Sequence, residues 1–449
     1  MLIIYKPPFS LDDFPLPQED IIAALKRLPT KKAPSADHLR GEMIKPIVEL
    51  IALILLGLFR LCWKWGATPS AWSLAQVVPI YKKGDLANPG NYRPISLISI
   101  MRKIFEMCIQ EPLADLGPQL DIAQASFRHH HSSLNQALCL REISNLHISL
   151  YGEQPILAFL DVKSVYNAVD RNIVWNALYS LIPPAFITLL KNLFDEVSIE
   201  LLLSGAISHS IHPVTGVLQG SVLSPYLYSI YINSLPSLLR DVETTFDTDN
   251  TYDDPFDLPP PQLLINKQKI NCLLYADDVA LIGTATTLPL LLEACEMHSY
   301  DLGYRWNPAK CVIMMSHTSD QSFYLYGEEI PQAPTFKYLG IPFDNTGNID
   351  PTRLIQQNSS SALAVMRVFR SIGVNPTAIT WFSDKQTKLL EEAQNNCLHL
   401  IFVAHKTFST KVIRHITRLP AMAERISILQ TKLLVRAYDL PSDTLLHQL

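Results

Sequence analysis

With 449 residues the chain is long enough for two or more domains. Its 48% hydrophobic and 18% charged residues place it among globular proteins and exclude a disordered or fibrous chain. A net charge of −5 excludes a uniformly basic nucleic-acid binder and leaves room only for a local basic groove.

The seven cysteines show no zinc-ligand spacing. Their odd number, with no evident secretion signal, points to reduced thiols inside a cell. Residues 1–16 are proline-rich and read as irregular. Pro17 suits a helix start, and Ile21, Ile22, Leu25 and Leu28 follow at helical spacing. Lys26, Arg27, Lys31 and Lys32 then read either as a solvated helix end or as a phosphate contact. Met43 to Trp65 reads as an amphipathic helix. Its most apolar run, Ile51 to Phe59, is too short to span a bilayer and fits a buried helix.

Ala75 to Ile80 reads as a strand, Lys82-Lys83-Gly84-Asp85 as a turn, and Asn88 to Pro94 as a loop. Two lysines and Arg93 beside one strand could grip a triphosphate, since a guanidinium forks onto phosphate oxygens. Ile100 to Leu113 reads as a helix. Gln124 to Arg128 precedes His129, His130 and His131. Three adjacent histidines cannot face one metal on a regular element, so a polar loop near nucleic acid is the better reading.

Ile156 to Asp161 is an apolar strand ending in an acid. Helices over Asn172 to Leu181 and Ile187 to Leu193 follow, then a strand over Ser198 to Leu203. Gly216 to Pro225 reads as a loop feeding a helix over Tyr226 to Leu235. Gln219 and Gly220 there offer a side-chain amide and a bare backbone to a ligand, or mark a plain helix N-terminus with serine caps. Residues 241–262 crowd Asp241, Glu243, Asp247 and further acids into a solvated, flexible insertion that would repel a phosphate backbone.

Leu273 to Ile282 holds the adjacent pair Asp277 and Asp278 within an apolar run. A plain strand would bury one of the two. A hairpin with Tyr275 to Asp278 at its tip brings both to the sheet end, where a bound divalent cation removes the cost of unpaired carboxylates. A surface turn is the plain alternative. Beyond it come a helix over Leu288 to Leu302, a turn from Gly303 to Lys310, a strand over Cys311 to Met315 and a short strand over Phe336 to Ile341. From about residue 352 the pattern is helical: Leu354 to Ile372, Asp384 to Val403 and Val412 to Tyr438.

Taken in order, these blocks resemble the reverse transcriptases of non-LTR retrotransposons. Val77 to Asp85, leading to Asn91 through Leu97, is similar to the fingers of that family, and Gln124 to Arg128 to its next block. Phe159-Leu160-Asp161 through Tyr166 and Asp170-Arg171 resembles motif A, Gly216 to Pro225 motif B, and Tyr275-Ala276-Asp277-Asp278 motif C. Gly303 with Asn307 and Lys310 is similar to motif D, and Tyr338-Leu339-Gly340 to motif E. The tail, with Ala393-Gln394-Asn395 and Leu419-Pro420, resembles the helical region after the polymerase.

The resemblance implies an α+β right-hand polymerase, with fingers, a palm built on an antiparallel sheet, a helical thumb and a helical C-terminal tail. It implies a helical extension over 1–70, fingers and palm over 71–343 with the insertion at 241–262, and a helical thumb and C-terminal region over 344–449. The implied function is an RNA-directed DNA polymerase copying retrotransposon RNA from a DNA primer and deoxynucleoside triphosphates, intracellular and nuclear, with no membrane partner. By position, Asp161, Asp277 and Asp278 would be catalytic and would hold two Mg²⁺ with the main-chain carbonyl of Val162. Lys82, Lys83, Arg93, Tyr166, Gln219, Gly220 and Lys310 would bind the nucleotide, with Tyr166 under the sugar and Lys310 as proton donor to pyrophosphate. Tyr338, Leu339 and Gly340 would hold the primer end. Two metals suit this chemistry because phosphoryl transfer develops charge on both attacking and leaving oxygens.

The chain departs from the family where Ser35, His38 and Ser126 replace glycine and where Val165 and Asn167 stand in motif A. Backbone strain is expected at the lost glycines. No metal ligand is lost. These departures keep open a degenerate, catalytically silent relic that binds RNA. A group II intron-type maturase fits less well, since no maturase-like basic domain is visible. The short leader, with no zinc knuckle or ribonuclease H in view, suggests a polymerase fragment of a longer ancestral product.

Overall fold

A computed structural model of the chain describes residues 9–12, 14–128, 130–203, 205–247, 264–265, 268–316, 321–354, 356, 384–401 and 420–439. They form two compact units. The first is Met1–Leu120, Lys163–Ser234 and Ser299–Arg305; the second is Asp121–Val162, Leu235–His298 and Trp306–Leu449. The α+β class expected from the sequence is the class observed.

α1 (Gln18–Arg27) follows Pro17 and buries Ile21, Ala24 and Leu25. Acids in its first turn and bases in its last complement the helix dipole. α2 (Gly41–Ile44) passes through a 3₁₀ turn at Lys45–Ile47 into α3 (Val48–Trp65). This helix was expected to be buried, yet only one face is: Ala52, Leu55, Phe59 and Trp63 are covered while Leu50, Ile54 and Leu61 are exposed. The 3₁₀ turn also joins the pieces, so that the run Gly41–Trp65 is long and apolar enough to cross a membrane by length and composition.

β1 (Leu74–Tyr81) pairs antiparallel with β2 (Tyr92–Ile98), so the strand begins inside the stretch expected as a loop. The prolines hid it. Pro94 lies opposite Pro79, where each is tolerated because β2 is the sheet edge and β1 meets its other neighbour only at Leu74–Val77. α4 (Ile100–Leu116) is capped by the Ser99 hydroxyl, which accepts from the Met101 N–H.

α5 (Ser133–Tyr151) has no counterpart in the sequence reading. Leu134 through Leu140 are buried without a break, so its apolar residues leave no one-sided stripe to detect. β3 (Ile156–Asp161) is buried at every position but the last. α6 (Arg171–Leu178), α7 (Pro184–Asp195), β4 (Ser198–Leu203), β5 (Ala206–Ile207) and α8 (Ser224–Tyr231) complete the first unit's main elements. Its four-stranded sheet runs β2-β1-β4-β5.

α9 (Leu235–Asp247) carries the first seven residues of the expected acidic insertion as helix, and 248–262 lie outside the described residues. β6 (Leu264–Ile265), β7 (Gln268–Lys269), β8 (Cys272–Tyr275), β9 (Asp278–Gly283) and α10 (Thr287–Leu302) follow. Next come β10 (Val312–Met314), the hairpin β11 (Tyr324–Leu325) and β12 (Glu328–Glu329), then β13 (Thr335–Tyr338) and β14 (Ile341–Asp344). The single strand expected over 336–341 is therefore two, because Leu339 and Gly340 turn the chain at φ +50 and +87. α11 (Asp384–Ile401) and α12 (Met422–Tyr438) meet through Leu390, Met422 and Ile426. The rest of the expected helical tail, 357–383 and 402–419, lies outside the described residues.

The second unit is built on an antiparallel sheet ordered β10-β3-β9-β8. Leu157, Phe159, Leu273, Ala280 and Ile282 pack against α5 and the β13–β14 hairpin in one apolar core. Burial of such side chains contributes about 1.5–3 kcal/mol each, which fixes the register that places the charged strand ends.

Candidate active site

β8 and β9 form a hairpin closed by two residues, Ala276 and Asp277. Tyr275 and Asp278 pair across it, so the turn is tighter than the four-residue tip expected. Ala276 takes φ +57, a conformation that costs a non-glycine residue about 1–2 kcal/mol. Such strain is often kept where the local shape has a use.

On the other side of β9, Asp278 is the direct partner of Asp161, the last residue of β3. Direct antiparallel partners stand roughly 4.5–5.5 Å apart at Cα and point to one face. The three acids thus gather at one end of one sheet. Partial burial, then Asp277 and then Asp161, pushes the Asp278 carboxyl up from 3.8 to about 6, although the residue is exposed to solvent.

Lys310 reaches the same place. Its Nζ lies 3.3 Å from Asp161 Oδ2, close enough for ion pairing. That oxygen is buried and accepts no hydrogen bond. The lysine is delivered by a turn pinned to the end of β3: Asn307 N–H donates to the Asp161 carbonyl at 2.9 Å, Val162 bridges Trp306, and Trp306 Nε1 donates to the Cys295 carbonyl at 2.9 Å.

Among the described residues, no three His, Cys, Asp or Glu side chains stand close enough to hold an ion as they are. The donor chemistry nevertheless fits a hard divalent cation: three carboxylates, one with an oxygen that accepts no hydrogen bond, at the end of a sheet. Asp161, Asp277 and Asp278 are the residues that would hold it.

The hairpin is backed by a segment the sequence left as a polar loop. Residues 123–125 run alongside β8, with Leu274 N–H donating to the Ala123 carbonyl at 2.8 Å and Ala125 N–H to the Leu274 carbonyl at 3.0 Å. Gln124 and Ser126 are fully buried: Gln124 bridges Leu274 at the sheet edge, and its Oε1 accepts from Ser126 N–H and Oγ at 3.2 and 2.9 Å. Gln136 on α5 reaches the same carbonyls, of Ala123 at 3.1 Å and Leu274 at 3.2 Å. Sequence reasoning missed Gln136; the polar pair Asn135-Gln136 set between Leu134 and the apolar run Ala137 to Leu140 was its available signal. His129 lies outside the described residues.

Tyr338 is buried with its ring against Phe159 at 5.4 Å. What β13–β14 presents outward is its turn, where Gly340 is exposed and Leu339 half-buried.

The first unit carries the other candidate residues. Lys82, Lys83 and Arg93 are exposed at the outer end of the β1–β2 hairpin, with no carboxylate bridged to them among the described residues. Tyr166 is half-buried, its ring 6.1 Å from that of Tyr228. Its carbonyl accepts from Val217 N–H at 2.8 Å, tying it to the 216–223 loop. Gln219 and Gly220 lie on that loop, and the Gln219 carbonyl accepts from Ser96 N–H at 2.8 Å. Gly220 takes φ +142, and a Cβ there would meet the Ser96 carbonyl oxygen at 2.3 Å, so glycine is required. Gly216 N–H donates to the Val169 carbonyl at 2.8 Å. Arg171 braces the same stretch by donating to the carbonyls of Gly216, Pro213 and Val214 at 2.8, 3.0 and 2.9 Å.

Of the three lost glycines, one is strained: His38 takes φ +57, while Ser35 and Ser126 do not have positive φ.

Residues 80–343, more than half of the chain, match the family described as reverse transcriptase (RNA-dependent DNA polymerase). The chain is 26% identical over 343 residues to the RNA-directed DNA polymerase from mobile element jockey of Drosophila melanogaster, a match covering 73% of this chain and 35% of that protein. It is 26% identical over 357 residues to a type-1 retrotransposable element R2 polyprotein of Popillia japonica, covering 75% of this chain and 46% of that one. The match thus spans between a third and a half of the length of these curated relatives. Among solved structures, telomerase from Candida albicans aligns with 82% of this chain and 59% of that one, at a TM-score of 0.44 and 13% identity. The chain belongs to the reverse transcriptase family, and within it to the non-LTR retrotransposon type.

Proposed function

We propose that this chain is the polymerase portion of a retrotransposon reverse transcriptase that extends a DNA primer along an RNA template. The observation that carries the reading is the register of β3 on β9, which makes Asp161 and Asp278 cross-strand partners beside Asp277. Asp161, Asp277 and Asp278 would hold two Mg²⁺, with the Val162 carbonyl as a further ligand. Bound Mg²⁺ supplies charge neutralisation at the attacking and leaving oxygens. Lys82, Lys83 and Arg93 bind the triphosphate, and Gln219 and Gly220 line the incoming nucleotide. Tyr166 lies under the sugar and excludes a 2′-hydroxyl. Lys310 leaves Asp161 to protonate departing pyrophosphate. Leu339 and Gly340 hold the primer end, with Tyr338 as their buried support. Such a reaction belongs in the nucleus, where the DNA primer is.

Primer extension on an RNA template with the purified chain, Mg²⁺ and either deoxy- or ribonucleotides tests this. Incorporation should favour deoxynucleotides and fall at least about a thousandfold in Asp277→Ala with Asp278→Ala. Undiminished extension by that variant would refute the assignment of the acids. A second reading, a silent relic that binds RNA, draws on the strained His38 in place of a family glycine. RNA binding with no incorporation would select it.

A further inference from the structure

α4 carries a buried ion pair that the polymerase chemistry does not use. Arg102 and Glu106 are both fully buried, one helical turn apart. Arg102 Nε donates to Glu106 Oε1 at 2.7 Å, Nη1 donates to the Trp72 carbonyl at 3.0 Å, and the guanidinium lies 5.1 Å from the Phe194 ring centre. The other carboxylate oxygen faces away from the helix. Glu106 Oε2 accepts from Ser221 Oγ at 2.8 Å and from Val222 N–H at 2.6 Å. These two residues directly follow Gln219 and Gly220. Ser221 Oγ also accepts from Leu223 N–H at 3.2 Å, so the carboxylate organises the whole exit of the loop.

A charge is an expensive anchor. Burying a carboxylate costs several kcal/mol unless it is paired and hydrogen-bonded, and a neutral side chain would close the same turn. What the charge adds is short, strong, directional bonds. On the far side, Ser96 N–H holds the Gln219 carbonyl at 2.8 Å, and the Ser96 carbonyl leaves no room for a side chain at Gly220. Gln219 and Gly220 are thus clamped between the β2 backbone and Glu106.

We infer that Glu106, acting through Ser221 and Val222, is a positioning residue that sets where Gln219 and Gly220 meet the incoming nucleotide. The inference rests on the polymerase reading above. The loop contributes to nucleotide binding, so loosening its anchor weakens binding of deoxynucleotide more than it slows turnover.

The test uses the full chain with Glu106→Gln, which keeps the volume and removes the charge, and with Ser221→Ala, each checked for folding by thermal melting. Glu106→Gln should raise KM for deoxynucleotide about tenfold, with kcat within about twofold and KM for template–primer unchanged. Ser221→Ala should raise it about threefold, and the double variant should be little worse than Glu106→Gln, since the two share one hydrogen bond. A folded Glu106→Gln protein with unchanged KM, or one that loses kcat alone, overturns the inference. Amide exchange at 217–222 should rise about tenfold in Glu106→Gln while β3 and β9 stay unchanged. A wild-type chain that incorporates nothing would defeat the polymerase reading and leave this exchange measurement to decide the anchor: no change at 217–222 means that Glu106 holds nothing there.

Discussion

Two carboxylates in this chain meet opposite conditions. Glu106, in the first unit, is wholly buried, yet Arg102, Ser221 and Val222 answer its charge from inside the fold. Asp278, in the second, is exposed, yet the charges that shift it are those of two more acids, Asp277 and Asp161. Depth alone therefore does not mark a working acid. A carboxylate whose charge is satisfied internally holds structure, whereas one set among other carboxylates holds its proton more tightly and gains from any cation brought near.

The sharpest way to break the comparison is to remove the satisfied acid. Glu106→Ala leaves a buried guanidinium and two loop donors unanswered and should cost about 3–5 kcal/mol, read from urea denaturation midpoints. A loss under about 1 kcal/mol would mean that the pair is hydrated in solution.

The unsatisfied acid should behave in the opposite sense. Asp278 holds its proton up to about pH 6, against 3.8 for an ordinary aspartate. The folded chain therefore binds this proton more tightly than the unfolded chain. In the metal-free protein, stability should fall as pH rises across that window and level off above it. Because the side chain still reaches solvent, the fall is discounted to roughly 1 kcal/mol. Asp278→Asn should abolish the fall, as thermal melts in chelator from about pH 4 to about pH 7 would record. The same slope in the variant would assign the titration to another group.

The smallest effects come from two strained residues, one in each unit. Ala276 adjoins Asp277, and His38 follows Asp37, whose Oδ2 accepts from the first N–H of α4 at 3.2 Å. Replacing either with glycine relieves about 1–2 kcal/mol of left-handed strain and loses about 0.5–1 kcal/mol to chain entropy. Each should raise stability by less than about 1 kcal/mol, measured by thermal unfolding. A destabilised Ala276→Gly would show that the Ala276 methyl group contributes packing that outweighs the strain.

Much of the candidate site was legible. Asp161 ends a run of apolar residues, and Asp277-Asp278 interrupts another, so both stood out against burial. Elements with conflicting signals were harder. β2 opens among prolines, and α5 is covered on too many sides to show a stripe. Gln124 looked like a loop residue because it is polar, yet its Oε1 accepts from Ser126 inside the fold while its neighbours Ala123 and Ala125 bond to β8. Arg102 and Glu106 stand at i, i+4 on the helix expected over Ile100 to Leu113, and nothing local announces that both are buried.

Composition, periodicity and the order of motifs determined on their own the α+β class, the family and the acids worth watching. Tertiary structure alone decided that Asp161 faces Asp278, that Lys310 reaches Asp161, and that Glu106 anchors the loop behind Gln219. The reason is physical. Propensity and patterning act over a few residues and say which face of an element is apolar. Register between distant strands, and the pairing of a buried charge, are set only when whole faces pack together, because shifting a strand by one residue would turn its apolar side chains out of the core.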